Sequence, residues 1–310
     1  MILIAIGLFG LWIGTKWVIN GALGLAKLLH LSHSFVGLAI LGVGTDLPEV
    51  FVTLKAAILH LKGIESSGII TGNAIGSSIS QITIILGIAG LLLKFSMTKE
   101  DLFRNGVFLL SSTLLLFMFG FDGVINRIEG TILVITYASY YWLLLRTSDT
   151  KEDEYPSDKS VSKLTIILYL LLGLLVLIYS SHLVVNNAML LATKWNVEQS
   201  FVGIVIIGLG TSLPELAVSI GAAIRKSAEM SVGNIIGSNI FDGLIPIGLG
   251  GLISTTSMEN HLLKFDLPIL FGVSLLVVLF LRTKRGISKP EGIALIAIYL
   301  IYILLKINMF

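Results

Sequence analysis

Hydrophobic residues along this chain fall into ten long runs that are separated by short polar stretches. Each run holds roughly 20 apolar residues, which is the length that an α-helix needs to cross the hydrocarbon core of a bilayer. We therefore predict an all-α integral membrane protein with ten transmembrane helices. The predicted spans cover residues 2–29, 34–61, 68–93, 104–121, 127–145, 164–192, 200–224, 229–253, 266–282 and 290–308.

The composition agrees with this prediction and excludes several classes of protein. Apolar residues make up 55% of the chain and charged residues only 13%, a balance that a water-soluble domain does not need. The absence of cysteine excludes disulfides, thiolate metal sites and a cysteine nucleophile. No basic patch indicates nucleic-acid binding. The first run lacks the basic start and cleavage site of a signal peptide, so we expect a retained spanning helix.

Lysine and arginine residues between the spans predict the orientation of the helices. The turns after spans three, five, seven and nine are rich in basic residues, namely Lys99, Arg104, Arg146, Lys151, Lys159, Lys163, Arg225, Lys226, Arg282, Lys284, Arg285 and Lys289. The opposite turns hold chiefly Lys62, Arg127, Lys194 and Lys264. Because basic loops stay in the cytoplasm, we predict a multi-pass protein of the plasma (inner) membrane with both termini extracellular.

Two segments of the first half of the chain return in the second half. FVGLAILGVGTDLPE at 35–49 matches FVGIVIIGLGTSLPE at 201–215, and GNAIGSSISQ at 72–81 matches GNIIGSNIFD at 233–242. The chain is therefore predicted to contain two copies of one structural unit.

The division between the copies falls in the polar segment 146–163, which we interpret as a cytoplasmic linker that is too short and too polar to fold alone. Residues 1–145 and 164–310 then hold five spans each. An odd number of spans reverses the second copy in the membrane, so we predict two inverted five-helix repeats, an arrangement typical of secondary transporters. A duplicated helical scaffold without transport activity is the alternative.

Each copy carries a proline in the middle of a span, in helices 2 and 7. Pro48 and Pro214 lack a backbone N–H, so the carbonyls of Gly44 and Gly210 lose their helical donors. An unpartnered carbonyl in hydrocarbon is costly unless it lines a water-filled cavity or binds a cation. We therefore predict that helices 2 and 7 are broken around these glycines and the threonines that follow them.

Oxygen-bearing side chains recur one helical turn apart in four of the predicted helices, on one face of each helix. These pairs are Thr45 with Glu49, Thr211 with Glu215, Ser77 with Gln81, and Ser238 with Asp242. A charged carboxylate inside a bilayer costs about 2.5–3.5 kcal/mol, so something must neutralise it. Oxygen ligands without His or Cys select hard cations, with Ca²⁺ favoured over Mg²⁺. Enzyme motifs for hydrolysis are absent from the sequence, so we predict a cation-binding protein and no enzyme.

The paired motifs GTDLPE and GTSLPE, each followed by GNAIGS or GNIIGS, resemble the two alpha repeats of the cation/calcium exchanger superfamily. The ten-span layout resembles the archaeal sodium/calcium exchangers of that superfamily, and the resemblance covers essentially the whole chain. It implies Na⁺ and Ca²⁺ as transported ions and no cofactor. The expected partners are then inorganic cations and the lipid bilayer. No protein partner is required, so the protein can act as a monomer. Proton-coupled members usually carry an acid just after GNA or GNI, where this chain has Ile75-Gly76 and Ile236-Gly237, and this favours sodium coupling.

The same resemblance implies a role for individual residues. Glu49 and Glu215 would be the central calcium carboxylates, and Thr45 and Thr211 would contribute backbone carbonyls. The middle positions would be filled by Asp242 and Gln81, and the flanking sodium sites by Ser77, Ser212 and Ser238 with the carbonyls of Gly42 and Gly208. The first and sixth spans resemble the helix pair that slides across the core during alternating access.

Two positions depart from the family pattern. Asp46 stands where the other repeat has serine, and Gln81 stands where sodium/calcium exchangers commonly have asparagine. Asp46 adds a fourth acid, and mutual repulsion implies that four acids do not all stay ionised in an empty cavity. We expect Asp46 to be a ligand, with an orientation toward the cytoplasmic vestibule as the alternative. Asn73 and Asn234 are expected to form interhelical hydrogen bonds, with contact to water or a cation as the alternative.

The sequence thus predicts a secondary active antiporter that exchanges Na⁺ for Ca²⁺ by alternating access. Asp46 keeps a Ca²⁺/H⁺ antiporter open as an alternative, and the oxygen ligands keep an exchanger of Mg²⁺ or another divalent cation open. A cation channel or a non-transporting membrane receptor is the alternative from a different class.

Overall fold

The computed structural model of the chain describes residues 2–64, 66–92, 97–147, 162–194 and 208–307. Within these residues nine helices are long and apolar enough to cross a membrane, and Leu213–Ile224 is a shorter apolar helix. Large apolar side chains such as Phe103, Phe121 and Ile128 are exposed on the outside of the helices, as expected where lipid is the solvent. The prediction of an all-α membrane protein is confirmed.

The helices follow the order of the predicted spans. Their bounds are α1 (Ile2–Leu29), α2 (His33–Leu61), α3 (Ser67–Leu92), α4 (Lys99–Phe119), α5 (Arg127–Thr147), α6 (Lys163–Lys194), α7 (Gly208–Thr211 and Leu213–Ile224), α8 (Ala228–Ser254), α9 (Leu262–Asp266 and Leu267–Lys284) and α10 (Lys289–Ile307). Two short strands, β1 (Val124–Ile125) and β2 (Thr256–Ser257), pair antiparallel between α4 and α5 on one side and α8 and α9 on the other.

Helices α4 and α9 begin earlier than the hydrophobic pattern predicts, at Lys99 and Leu262 in place of residues 104 and 266. Hydrophobicity misses the first turn of α4 because that turn is polar. The Thr98 hydroxyl accepts a hydrogen bond of 3.1 Å from the backbone N–H of Asp101, which caps the helix. The predicted parts of spans at 93, 200–207 and 308, and most of the linker at 148–161, lie outside the described residues.

Helices α1 and α6 pack closely against each other through glycines of α1. A Cβ atom added at Gly14 would lie 3.0 Å from the backbone nitrogen of Leu177, and one added at Gly21 would lie 2.7 Å from that of Leu170. Small residues let two membrane helices approach until their backbones touch. The pair α1 and α6 therefore forms one body, which covers α2 and α7 through the buried cluster that includes Val36.

Helix α8 is the buried centre of the protein and crosses α2 at very short range. A Cβ atom at Gly237 would lie 2.5 Å from the carbonyl oxygen of Leu38, and one at Gly37 would lie 2.4 Å from that of Met230. This backbone contact requires glycine on both sides of the crossing. It sets the part of α2 that begins at Gly42 beside the middle of α8, since a Cβ atom at Gly42 would lie 3.1 Å from the backbone nitrogen of Ser238.

Three described segments are wound as π-helix: Val36–Leu41 in α2, Gln81–Ile85 in α3 and Leu262–Asp266 in α9. A π turn interrupts the regular helical hydrogen bonds and often marks a functional position. The first segment ends just before Gly42, and the second begins with Gln81. Both therefore adjoin residues that the sequence predicts at the cation site.

Helices α9 and α10 are joined by an ion pair that the sequence does not predict. The Lys306 ammonium donates to Asp266 Oδ1 at 2.6 Å, and the Tyr302 hydroxyl donates to the same oxygen at 2.7 Å. Both charged side chains are buried, so each charge is neutralised by its partner. Asp266 thus has a basic partner inside the protein, unlike the acids of α2, α7 and α8 that are described below.

Candidate cation site

Helices 2 and 7 are broken at equivalent positions, as predicted, although the break lies slightly further along the chain. Asp46 has φ −83° and ψ 1°, and Ser212 has φ −87° and ψ 12°, so neither residue continues a helix. Pro48 and Pro214 occupy the first turn of the helix that follows, where the missing N–H costs nothing. The break therefore falls two residues before each proline instead of at the preceding glycine and threonine.

Four carboxylates meet near the middle of the broken helices and of α8. Asp46, Glu49, Glu215 and Asp242 are each 0% exposed. One carboxylate oxygen from each of Asp46, Glu49 and Glu215 lies within 4.8 Å of the other two. The carboxyl groups of Asp46 and Glu215 are hydrogen-bonded to each other. Among the described residues, both oxygens of Glu49 and Oδ1 of Asp242 have no hydrogen-bond partner.

This cluster is electrostatically costly when nothing is bound to it. Two unit charges at this separation repel by about 3–4 kcal/mol at an effective dielectric constant near 20. In the part of the chain that the structure describes, none of the four acids forms an ion pair with a basic side chain. Cations or protons must therefore supply the missing positive charge.

Gln81 connects α3 to the acid of α8. Its Nε2 donates to Asp242 Oδ2 at 3.0 Å and to Ser77 Oγ at 3.1 Å, and its Oε1 accepts from Asn239 Nδ2 at 3.1 Å. The longer glutamine side chain thus reaches across to Asp242 and leaves only one oxygen of that carboxylate without a partner. The middle of the site is a hydrogen-bond network in which two acceptors, Asp242 Oδ1 and Asn239 Oδ1, have no partner among the described residues.

The serines predicted at the flanks differ between the two copies. Ser212 lies with its Oγ 2.9 Å from Ser77 Oγ and 3.1 Å from Ser80 Oγ, which brings α3 and α7 together. Ser238 is also fully buried, but its hydroxyl has no partner among the residues described. On the flank built from α3 and α7 the serine hydroxyls are therefore bonded to one another, whereas on the flank at α8 the serine hydroxyl has no partner among the described residues.

The predicted backbone ligands are partly occupied by protein donors. The carbonyl of Gly42 accepts the N–H of Asp46 at 3.2 Å, and the Thr45 hydroxyl donates to the carbonyl of Leu41 at 3.0 Å. The Gly210 carbonyl, whose donor Pro214 removes, accepts the hydroxyl of Ser181 of α6 at 2.9 Å. A carbonyl oxygen has two lone pairs, so the Ser181 contact leaves one acceptor position on Gly210. The carbonyl of Gly42 has a second donor, because the Thr45 hydroxyl lies 3.4 Å from it. Gly208 and Thr211 begin and end the short first part of α7.

The two predicted asparagines have different surroundings. Asn234 of α8 donates to Ser219 Oγ of α7 at 3.0 Å and thereby links the two helices. Asn73 of α3 lines a cavity beside Glu49. Asn73 is thus placed for contact with water or a cation, which is the alternative that the sequence left open.

This cavity measures about 50 Å³ and reaches the site from one direction. Its lining comes from α2, α3, α6 and α7: Pro48, Glu49, Val52, Asn73, Ile178, Ser181, His182, Val185, Gly210 and Thr211. A few waters fit in such a volume. Since Val52 follows the break of α2 and Asn73 precedes the middle of α3, the cavity lies on the half of the bundle that contains the start of α1.

Sequence reasoning missed several residues at the site. The hydroxyl of Ser80 contacts that of Ser212, and Asn239 donates a hydrogen bond to Gln81. Ser181 donates a hydrogen bond to the carbonyl of Gly210. Ser80 and Asn239 lie inside the repeated segments 72–81 and 233–242, which is a signal that could have identified them. Ser181 lies in a helix that lacks the motif, and only its contact with the proline-freed carbonyl reveals it.

Comparisons with known proteins agree with this geometry. The family model described as sodium/calcium exchanger protein matches residues 1–146 and 165–308. An uncharacterized membrane protein of Methanocaldococcus jannaschii is 30% identical, with 96% of this chain and 95% of the relative covered. The sodium/calcium exchanger MaX1 of Methanosarcina acetivorans is 25% identical, with 97% of each chain covered.

A solved structure of the sodium-calcium exchanger NCX_Mj superposes with a TM-score of 0.84 at 29% identity, covering 97% of both chains. The match extends over all ten predicted spans, and the relatives are ion exchangers, which excludes an enzyme. With its paired motifs, broken helices and buried acids, this chain belongs to the sodium/calcium exchanger family of the cation/calcium exchanger superfamily.

Proposed function

We propose that this protein is an antiporter that uses the inward movement of Na⁺ to export Ca²⁺ across the plasma membrane. The observation that carries the proposal is the cluster of buried carboxylates Asp46, Glu49 and Glu215, in which one oxygen of each lies within 4.8 Å of the other two inside a membrane protein. Carboxylate, hydroxyl, amide and carbonyl oxygens are the ligands of hard cations. The family membership supports cation exchange as the activity.

Calcium is the divalent ion that suits these ligands best. Ca²⁺ takes six to eight oxygens in a flexible shell, whereas Mg²⁺ demands an octahedron and keeps its waters. Glu49 and Glu215 can each offer two oxygens, and Asp242 Oδ1 and the carbonyls at the helix breaks can add more. Sodium competes for the same oxygens as a hard monovalent cation, and unwound backbone and half-helix ends commonly coordinate it in secondary transporters.

The arrangement of the helices supports alternating access. The cavity beside Glu49 leads toward one end of the bundle, and its lining includes four residues of α6. Movement of the α1 and α6 pair would close this cavity and open an equivalent cavity on the opposite side of the membrane. An ionised, empty cluster opposes such movement because its carboxylates would be carried through the membrane without counterions. Exchange is therefore expected to be fast only when cations neutralise the acids during the conformational change in both directions.

A counterflow experiment in proteoliposomes tests this function. With ⁴⁵Ca²⁺ outside and a low concentration of buffered Ca²⁺ inside, we expect an outward Na⁺ gradient to accelerate uptake strongly and external Mg²⁺ to compete weakly. Uptake that needs only a pH gradient would assign a Ca²⁺/H⁺ antiporter. Strong Mg²⁺ competition would assign a magnesium exchanger. An uncoupled current would indicate a channel, and binding without flux a receptor.

The proposed orientation places both termini outside the cell and the linker inside. Because the natural chain contains no cysteine, single cysteines report their position without background. We expect Phe121→Cys, in the turn between α4 and α5, to react with a membrane-impermeant maleimide on intact cells. Ser157→Cys in the linker is expected to react only after the cells are opened. The reverse pattern would contradict the orientation and leave the exchange activity unaffected.

A further inference from the structure

Helices α1 and α6 occupy the same place in the two copies of the repeat, and their sequences align in the middle of each helix. TKWVINGA at 15–22 aligns with SHLVVNNA at 181–188, with identical residues at three positions. The offset between these segments is the same as that between the two copies of the proline motif. In this alignment, Lys16 of α1 is the counterpart of His182 of α6.

The packing of α1 on α6 supports this alignment. A Cβ atom added at Gly7 of α1 would lie 2.6 Å from the side chain of Val184 of α6. One added at Gly173, the counterpart of Gly7, would lie 2.8 Å from the side chain of Val18, the counterpart of Val184. Contacts that exchange partners in this way are typical of two units related by a twofold axis. Residues at this offset are therefore equivalent in the structure as well as in the sequence.

Helix α6 lines the cavity beside Glu49, and the symmetry assigns the same role to α1 on the opposite side of the membrane. The four residues that α6 contributes to the cavity are Ile178, Ser181, His182 and Val185. Their counterparts in α1 are Trp12, Thr15, Lys16 and Ile19. Glu215 is the counterpart of Glu49, so the cavity that opens when the helix pair moves lies beside Glu215 and is lined by these residues of α1.

The present surroundings of Lys16 do not explain a charged side chain at this depth. Lys16 lies in the middle of α1 and is exposed on the outside of the bundle, as are Phe9 and Trp12. Its ammonium lies 3.5 Å from the centre of the Trp12 ring, and in the part of the chain that the structure describes it forms no ion pair. A lysine at mid-depth is costly in hydrocarbon and commonly marks an aqueous path.

We propose that Lys16 is an ion-path residue of the opposite conformation, in which its ammonium lines the cavity beside Glu215 and weakens the binding of Ca²⁺ that enters from that side. The inference rests on the proposed exchange of Na⁺ for Ca²⁺ and names a residue that sets its affinity on one side of the membrane. In the proposed orientation this is the cytoplasmic side. A fixed positive charge acts on a bound Ca²⁺ twice as strongly as on a bound Na⁺.

Single cysteines in this cysteine-free chain test the position of Lys16. In right-side-out and inside-out membrane vesicles, we expect a membrane-impermeant methanethiosulfonate to modify His182→Cys from the extracellular side and Lys16→Cys from the cytoplasmic side. Ile135→Cys is the control, because Ile135 lies near the middle of α5 with 58% of its side chain exposed to lipid, and it should react from neither side. Reaction of Lys16→Cys from the same side as His182→Cys, or as little as Ile135→Cys, would overturn the proposal.

Uptake of ⁴⁵Ca²⁺ into Na⁺-loaded vesicles tests the effect of the charge. In inside-out vesicles, where Ca²⁺ reaches the cytoplasmic side of the protein, we expect Lys16→Met to lower the half-saturating Ca²⁺ concentration several-fold. Lys16→Arg keeps the charge and should match the wild type. In right-side-out vesicles all three proteins should have the same half-saturating concentration. A merely structural role of Lys16 would not produce a change that is confined to one side and absent from the arginine variant.

Two results of the uptake measurement would overturn the proposed role of the charge. One is an equal half-saturating Ca²⁺ concentration for the wild type and Lys16→Met in inside-out vesicles. The other is a shift in both kinds of vesicle, which would assign Lys16 to the balance between the two conformations. Absence of Na⁺-driven uptake by the wild type would instead overturn the proposed function, and the cysteine reactivities would still decide whether Lys16 lines the path.

Discussion

Glu49→Gln and Glu215→Gln are each expected to abolish Na⁺-dependent ⁴⁵Ca²⁺ uptake in proteoliposomes. Each substitution keeps the shape of the side chain and removes one of the buried charges that face the site. The loss of a carboxylate ligand from a low-dielectric cavity is worth about 3 kcal/mol or more, which lowers the affinity for Ca²⁺ at least about 100-fold. Uptake at micromolar Ca²⁺ should therefore fall to the level of empty liposomes.

Glu100→Gln is the matched control, because Glu100 is an exposed acid in the first turn of α4. This variant should transport like the wild type. Size-exclusion profiles that match the wild type should show that the two inactive variants remain folded. Retention of uptake in either Glu49→Gln or Glu215→Gln would remove that residue from the transport site.

Gly237→Ala is expected to destabilise the whole protein. The new methyl group would lie 2.5 Å from the carbonyl oxygen of Leu38 and 2.9 Å from its Cα atom, so α2 and α8 must separate. Overpacking of this kind costs about 1–3 kcal/mol or more, and a backbone neighbour cannot move aside as a side chain can. We expect a thermal midpoint in detergent lower by about 2–5 °C, and no monodisperse protein from Gly237→Leu.

Gly272→Ala provides the comparison, since a Cβ atom at that position of α9 would meet no described atom within 4 Å. Its thermal midpoint should equal that of the wild type. A Gly237→Ala protein as stable as the Gly272→Ala protein would show that the crossing of α2 and α8 is looser than the structure indicates. The position of Asp46 beside α8 would then need revision as well.

Much of the fold could be predicted from the sequence because a bilayer permits few kinds of spanning backbone structure. A spanning segment must satisfy its own backbone, so a run of apolar residues specifies a helix. The bounds of α1 agree with the predicted 2–29. The π turn at Val36–Leu41 could not be predicted, because it depends on the contact of α2 with Gly233 and Gly237 of α8, which no local pattern encodes.

The acids of the site could be identified because buried charge in an apolar run is rare and recurs at equivalent positions. The same reasoning could not predict which residues of different helices contact each other. Spacing along α3 suggested that Ser77 and Gln81 share a face, but it did not reveal that Gln81 reaches Asp242 on α8. Likewise, Lys306 and Asp266 are far apart in sequence, and only the packing of α10 on α9 joins them.

X-ray diffraction from Ca²⁺-soaked crystals tests the central claim most directly, because anomalous scattering locates the ion itself. The account predicts one anomalous peak between Glu49 and Glu215, with carboxylate oxygens of both side chains at roughly 2.3–2.6 Å. The peak should be lost when Na⁺ replaces Ca²⁺ in the soak. An unoccupied space between the two acids at a Ca²⁺ concentration that saturates transport would contradict the claim.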